Sequence, residues 1–127
     1  MGISNGGHLS LITALRRPDV FLQAAGQSST ITDQLVEVLE STASKPESKM
    51  LNLYVDVGRY DLENSGDPLF TFLSTSRLFH QKLQRAGIKH TYHEWNDGHE
   101  WANWRERTPE ILRLFFGVSE NSTKKKP

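Results

Sequence analysis

The chain has 127 residues, which fits a single domain with a sizeable core but falls short of the roughly 200–250 residues of many single α/β domains. Its 15 basic and 15 acidic residues cancel, so no charge excess indicates a nucleic-acid or membrane-surface partner. The absence of cysteine excludes disulfides and thiol chemistry. No apolar run reaches the ~18 residues of a spanning helix and no signal peptide precedes the first motif, so we expect a cytoplasmic protein.

The first motif is the stretch Gly-Ile-Ser-Asn-Gly-Gly at residues 2–7, which has the Gly-x-Ser-x-Gly spacing of a nucleophile elbow. In an elbow the serine lies on a sharp, strained turn between a strand and a helix, and glycines two residues to either side avoid clashes. Ser4 is therefore the candidate nucleophile. The backbone N–H of Asn5 would face the oxyanion of an acyl intermediate. A Gly/Asn/Ser turn that caps a helix is the alternative interpretation.

Helices and strands are predicted to alternate after this motif. Apolar residues at helical spacing predict a helix that begins near Asn5 and ends before Pro18. The largely apolar run at 21–27 predicts a buried strand. A cap at Thr30 or Thr32 then begins a second helix, and a polar loop follows it.

The next elements continue the same alternation. Residues 50–58 are the clearest strand, because they are nearly continuously apolar and β-branched toward their end. A polar loop covers 58–68, and a long amphipathic helix runs from Leu69 to a C′ position at Gly87. Residues 88–95 are more polar and predict a strand near an edge of the sheet.

The chain closes with a turn at 96–98 and a helix that starts at Trp101, in which Pro109 predicts a break or a fresh start. Residues 119–127 are a polar, lysine-ended tail that we expect to be disordered, which leaves 1–118 as the domain. Strands that alternate with helices predict an α/β fold with a parallel sheet flanked by helices, whose sites gather at the C-terminal ends of the strands.

An acid and a histidine follow two of these strands. A serine nucleophile needs a base for its proton and an anion that orients the base, in the chain order serine, acid, histidine. Asp61 lies just past the strand end and is the best placed acid, with Glu63 as its rival. An exposed turn residue is the alternative interpretation of Asp61. His99 follows a glycine-containing turn and is the candidate base.

The other histidines fit a catalytic role less well. His80 lies within a helix, whereas His90 and His93 lie three apart on a strand and so point to opposite faces. They cannot chelate one ion together, and no metal site is expected. His8, in the first turn of the helix after Ser4, is a candidate substrate contact, with a solvent-facing role as the alternative. Trp101 is the second candidate substrate contact.

Three blocks of sequence carry a resemblance to a known family. The first block consists of residues 2–7, 14–21 and 27–29. The second block is 57–61, and the third is 92–105. Together they span nearly the whole chain before the tail, and they resemble an esterase family of α/β hydrolases. The nearest branch is the enterochelin (iron-siderophore) esterases, with esterase D and the feruloyl esterases more distant.

The resemblance implies a residue-by-residue assignment. Ser4 would be the nucleophile, His99 the general base and then acid, and Asp61 the anion that orients His99. The Asn5 N–H would form half of the oxyanion hole. The implied reaction is hydrolysis of a small-molecule carboxylic ester through an acyl-enzyme, with no metal and no cofactor.

The resemblance covers only the C-terminal part of the family's domain. The strands on one side of the sheet, the strand that feeds Ser4 and the second oxyanion donor would all lie upstream. We therefore expect the 127 residues alone to catalyse poorly. The alternative function is a non-catalytic α/β fragment that forms a homodimer through its open sheet edge, with Trp101 and Trp104 as apolar contacts.

Overall fold

A computed structural model describes residues 1–62 and 71–117. Within these residues strands and helices alternate along the chain, as the sequence predicts. The elements are β1 (Gly2–Ile3), α1 (Asn5–Arg16), β2 (Gln23–Gln27), α2 (Asp33–Ala43), a 3₁₀ turn (Pro46–Met50), β3 (Asn52–Gly58), α3 (Phe72–Ala86), β4 (Lys89–Trp95) and α4 (Trp101–Phe116).

The four strands form one parallel sheet in the order β1-β2-β3-β4. Each strand pairs with the next strand of the sequence, so every connection is a crossover through a helix. The strand β1 has two residues, which pair with Gly26 and Gln27 of β2. The expectation that the strand feeding Ser4 lies upstream is therefore corrected in part, since these two residues form a strand directly before Ser4. All the strand C-termini therefore meet at one end of the sheet, and the loops that follow them share that end. The predicted parallel sheet flanked by helices is confirmed.

Side-chain alternation along the strands distributes the helices over both faces of the sheet. On one face Leu53 and Val55 of β3 pack with buried residues of α1, α2 and α3. On the other face Tyr54 packs with Ile111 of α4. The central strand β3 is buried on both sides, which is why its sequence is nearly continuously apolar.

Two predicted helix ends are found where the sequence indicates them. Gly87 ends α3 in the left-handed conformation at φ 65°, which suits a residue without a side chain. Thr32 caps α2, because its hydroxyl accepts the Leu35 N–H at 3.2 Å. Thr30, the other candidate, donates its hydroxyl proton to the side chain of Asn5 instead, at 2.8 Å.

We expect Thr32→Ala to lower the free energy of unfolding by about 1 kcal/mol, because the N–H at the start of α2 loses its acceptor. Urea denaturation followed by circular dichroism measures the change. Ser41→Ala is the matched control, since Ser41 lies exposed in the same helix and alanine favours the helix there. Equal stability of Thr32→Ala and the unchanged chain would contradict the capping role.

The structure differs from the prediction at Pro109, because α4 runs without a break from Trp101 to Phe116. The proline removes one N–H that would bond the Arg105 carbonyl. Pro109 is exposed, so water can reach that carbonyl. Buried side chains on both sides of Pro109 hold the helix against the sheet; they are Trp104, Arg107 and Ile111.

Smaller differences concern element ends. The predicted loop after α2 is partly helical, since α2 extends to Ala43 and the 3₁₀ turn follows. The strand β2 begins at Gln23, and the apolar residues before it are exposed. The predicted helix start at Leu69 and the predicted disordered tail at 119–127 lie outside the described residues. Among the helices of the described ranges, none has both the length and the hydrophobicity needed to cross a bilayer.

Candidate active site

Ser4 lies in the sharp turn between β1 and α1, with φ 54° and ψ −119°. A residue other than glycine rarely adopts this positive φ, so the turn stores strain. Its backbone is held on both sides. The Ser4 N–H donates to the Gln27 carbonyl at 2.9 Å, and the Ser4 carbonyl accepts from the N–H groups of His8 at 3.1 Å and Thr30 at 3.3 Å.

The glycines around Ser4 provide clearance, although not at both predicted positions. A Cβ atom at Gly2 would lie 2.0 Å from the carbonyl oxygen of Gly6. At Gly6 itself a Cβ atom would meet nothing within 4 Å, so this glycine is not required for space. On that side the close approach is at Gly7, where a Cβ atom would lie 2.2 Å from the Ser29 hydroxyl. The sequence pattern misses this because it treats the two flanking glycines as equivalent.

His99 is brought to the predicted serine. Its Nε2 atom lies 3.1 Å from Ser4 Oγ, although 95 residues separate the two in the chain. The imidazole packs against two aromatic rings, with centroid distances of 4.9 Å to Phe72 and 4.7 Å to Trp104. Only 14% of the His99 side chain is exposed. The ring therefore has little freedom to turn away from Ser4.

Asp61 lies on the other side of His99. Its Oδ1 atom is 3.6 Å from His99 Nδ1, and neither atom has a hydrogen-bond partner within the described residues. Its Oδ2 atom accepts the Gly58 N–H at 2.9 Å. The separation of 3.6 Å is longer than a hydrogen bond. A movement of less than 1 Å would close it.

The loop that carries Asp61 and the loop that carries His99 are joined directly. The Tyr60 N–H donates to the Asp97 carbonyl at 3.1 Å. A Cβ atom at Gly58 would lie 2.6 Å from both the Asp97 carbonyl oxygen and Asp61 Oδ1. Gly58 is therefore needed where the two loops meet. Its place at a strand end, three residues before the acid, is the signal that could have singled it out.

The remaining predicted residues take separate positions. Asn5 is the first residue of α1, so its N–H has no acceptor inside the helix. His8 Nδ1 lies 3.0 Å from the Thr30 carbonyl, which accepts its proton. Trp101 is 75% exposed and lines an apolar groove of about 490 Å³ beside Ile3. The rival acid Glu63 lies outside the described residues.

Sequence reasoning missed a buried ionic cluster that includes Asp97, two residues before His99. The Arg107 guanidinium contacts the carboxylates of Asp56, at 3.1 Å, and of Asp97. Asp56 also accepts the hydroxyl of Tyr54 at 2.9 Å and the Ser28 N–H at 3.0 Å. Burial raises the pKa of Asp56 to about 6, and the Arg107 charge only partly offsets this.

The two histidines of β4, His90 and His93, pack on opposite faces of the sheet, as their spacing on the strand predicts. His90 Nε2 lies 2.8 Å from His80 Nδ1 of α3. His93 Nε2 lies 3.0 Å from Glu110 of α4. The two strand histidines therefore have different partners on different helices.

Comparison with solved structures identifies the class of fold. A ferulic acid esterase aligns with a TM-score of 0.71 at 19% identity, covering 90% of this chain and 50% of that one. An S-formylglutathione hydrolase (FrmB) from Staphylococcus aureus aligns with a TM-score of 0.69 at 18% identity, covering 89% of this chain and 47% of that one. FphF, a fluorophosphonate-binding serine hydrolase of the same organism, aligns with a TM-score of 0.73 at 15% identity, covering 89% of this chain and 51% of that one. The fold is that of the α/β hydrolases.

The family follows from the sequence comparison. Residues 1–115 match the family described as "Putative esterase", and the chain belongs to this family. The uncharacterized protein YjcH of Bacillus subtilis (strain 168) is 25% identical over 117 residues, which cover 90% of this chain and 48% of that protein. The chain thus spans about half the length of the relatives that it matches.

Proposed function

We propose that the chain carries the catalytic residues of a serine esterase, with Ser4 as nucleophile, His99 as general base and acid, and Asp61 as the orienting anion. The observation that carries the proposal is the 3.1 Å separation of His99 Nε2 and Ser4 Oγ across 95 residues of sequence. The substrates would be small carboxylic esters, as the family indicates.

In the proposed reaction the Ser4 oxygen attacks the ester carbonyl carbon while His99 Nε2 takes the hydroxyl proton. The C–O bond to the alcohol then breaks, and His99 returns the proton to the leaving alkoxide. Water next attacks the acyl-enzyme, with His99 again accepting and returning one proton. The products are a carboxylic acid, an alcohol and the free serine, so no cofactor is required.

Asp61 would hold His99 in the tautomer that carries its proton on Nδ1 and would stabilise the imidazolium. Its Oδ1 atom has no other hydrogen-bond partner in the described residues, and so remains available to His99. The Gly58 N–H fixes the second carboxylate oxygen at 2.9 Å. The side chain of Asp61 is fully buried, which strengthens its interaction with a charged ring.

The oxyanion would be stabilised by the Asn5 N–H, which begins α1 and carries the positive end of the helix dipole. In other serine hydrolases the loss of one such donor costs about 10²–10³ in turnover. Since one donor is assigned here, we expect slow turnover by the chain alone. Covalent capture of the serine is therefore a more sensitive assay than hydrolysis.

A fluorophosphonate probe tests the proposal, because the serine oxygen displaces fluoride from phosphorus and the adduct is stable. We expect the folded chain to be labelled at Ser4, as located by peptide mass spectrometry. The urea-unfolded chain is the control and should not react. Absence of labelling at pH 8, or an adduct on the half-buried Ser10 instead, would contradict the proposal.

The substrate class can be narrowed by comparing esters. The sequence blocks resemble those of the enterochelin esterases, and one solved neighbour is named a ferulic acid esterase. We propose to compare the rates at which the chain hydrolyses p-nitrophenyl acetate, methyl ferulate and a catecholate siderophore ester. Faster hydrolysis of the siderophore ester would support a substrate like that of the enterochelin esterases. Hydrolysis of p-nitrophenyl acetate alone would contradict it.

A second candidate function is a dimerising fragment, which a specific surface favours. β1 is an edge strand of two residues, and beside it Ile3, Trp101 and Arg105 line the groove of about 490 Å³. An open edge with an exposed tryptophan can pair with a second copy. The prediction of Trp104 as a second contact is wrong, because it is only 5% exposed and donates its indole N–H to Ser28 Oγ at 3.0 Å. Sedimentation tests this. A dimer that Trp101→Asp dissociates, without labelling of Ser4, would support it, whereas a labelled monomer would contradict it.

A further inference from the structure

Arg107 is a buried cation on α4 that the proposed reaction does not use. It is 4% exposed and lies between two carboxylates that belong to different parts of the fold. Its Nη1 atom donates to Asp56 Oδ1 at 3.1 Å, and its Nη2 atom donates to Asp97 Oδ1. The guanidinium also lies 5.5 Å from the centre of the Trp95 ring. One side chain thus joins the helix, the central strand and the loop before His99.

The Asp56 end of this bridge is a fixed point. Asp56 lies in the central strand β3 and has no exposed surface. Besides Arg107, it accepts the Tyr54 hydroxyl and the Ser28 N–H. With three donors in place, its carboxylate has one position, and the first nitrogen of Arg107 is held there.

At the other end of the bridge, Asp97 lies in the loop that carries His99, two residues before that histidine. The side chain of Asp97 binds Arg107, and its carbonyl oxygen accepts the Tyr60 N–H of the neighbouring loop at 3.1 Å. Two other side chains also hold the loop, because Arg59 donates to Asn96 Oδ1 at 2.9 Å and Asn103 donates to the Gly98 carbonyl at 2.9 Å. The Arg107 contact is the one that ties the loop to a buried residue of the central strand, so its loss would remove that connection. The distance from His99 to Ser4 would then be less well defined.

We propose that Arg107 is a positioning residue that, by bridging Asp56 and Asp97, keeps His99 within reach of both Ser4 and Asp61. The planar fork of a guanidinium can bind two carboxylates in fixed directions, which a lysine cannot do. This inference rests on the proposed function for its effect on reactivity. The position of the His99 ring can be measured independently of any reaction.

The test breaks the bridge at Asp97, because its side chain is 25% exposed and its loss leaves the buried Arg107–Asp56 pair intact. We expect Asp97→Ala to fold and to react with the fluorophosphonate probe about 10- to 100-fold more slowly at Ser4. Asp97→Asn keeps an oxygen acceptor for Nη2 and should recover most of this loss. Asp19→Ala breaks an exposed arginine pair far from the site and should react at the original rate.

Proton NMR of the His99 ring gives a second readout that needs no chemistry. In the unchanged chain the rings of Phe72 and Trp104 should displace its resonances from unfolded values, because both lie within 5 Å of the imidazole. In Asp97→Ala we expect these resonances to broaden and to move toward unfolded values. The spectrum of a His99→Gln variant assigns them.

The outcomes separate the two proposals. If the unchanged chain is not labelled at Ser4, the proposed function fails, and the His99 resonances still decide whether Arg107 positions the ring. If Asp97→Ala folds with unchanged resonances and an unchanged labelling rate, the positioning role is wrong. If Asp97→Ala does not fold, Asp97→Asn decides by the same criteria, with an expected reduction of about 3-fold in labelling rate.

Discussion

Replacement of Ser4 by alanine is expected to abolish covalent labelling by a fluorophosphonate and to reduce hydrolysis of p-nitrophenyl acetate to the rate in buffer. The alanine side chain has no oxygen to form the acyl-enzyme, and in a well studied serine protease the loss of the nucleophile costs about 10⁶ in turnover. His99 and Asp61 cannot compensate, since their role is to activate that oxygen. Stopped assays over hours at high protein concentration measure the residual rate.

Two further variants make this result specific. Ser10→Ala removes a half-buried serine of the helix that follows Ser4, and we expect unchanged labelling. Ser4→Gly should be inactive but more stable than Ser4→Ala by about 1 kcal/mol, because glycine adopts a φ of 54° without strain. Labelling that persists in Ser4→Ala would reject Ser4 as the nucleophile. Equal stability of the alanine and glycine variants would reject a strained turn.

Replacement of Arg107 by alanine is expected to cost about 3–5 kcal/mol of unfolding free energy at pH 8, the largest stability effect that we expect from a single substitution. The variant leaves Asp56 fully buried without its cation, and Asp97 loses its partner as well. Urea denaturation measures the loss. Arg17→Ala, which breaks an exposed pair with Asp19, is the control and should leave stability unchanged.

The cost of Arg107→Ala should depend on pH. Burial raises the pKa of Asp56 to about 6 in the folded chain, above the ordinary value of 3.8. The folded state then binds the proton more tightly than the unfolded state, so stability falls as pH rises from about 4 to 6 and levels off above 6. Without Arg107 the pKa of Asp56 rises further and the fall continues to higher pH. A loss that is equal at pH 5 and pH 8 would contradict this account.

The three proposed catalytic residues could be predicted because each follows a feature that is local in sequence. Ser4 lies in a glycine-rich turn, Asp61 directly after the most apolar strand, and His99 after a glycine turn before a helix. A parallel sheet places such strand ends together, so the sequence order of the strands was sufficient. The resemblance to known esterases added the roles of the three residues.

The supporting residues could not be predicted because their partners depend on how the helices pack. Arg107 and Asp56 are 51 residues apart, and nothing in the sequence near either one indicates the other. On a helix, an arginine is most often a solvated residue, and only the docking of α4 on the sheet buries this one. Similarly, Pro109 predicts a break in α4, whereas tertiary contacts on both sides keep the helix continuous.

Ser4 and His99 follow the first and last strands of the described sheet, so their loops must meet across the ends of β2 and β3. A folding intermediate with only some of the strands assembled would therefore have no reactive centre. We expect the rate of serine capture to disappear at the same urea concentration as the helical signal, in one cooperative step. Probe reactivity would then report the fraction of molecules in which all four described strands have assembled.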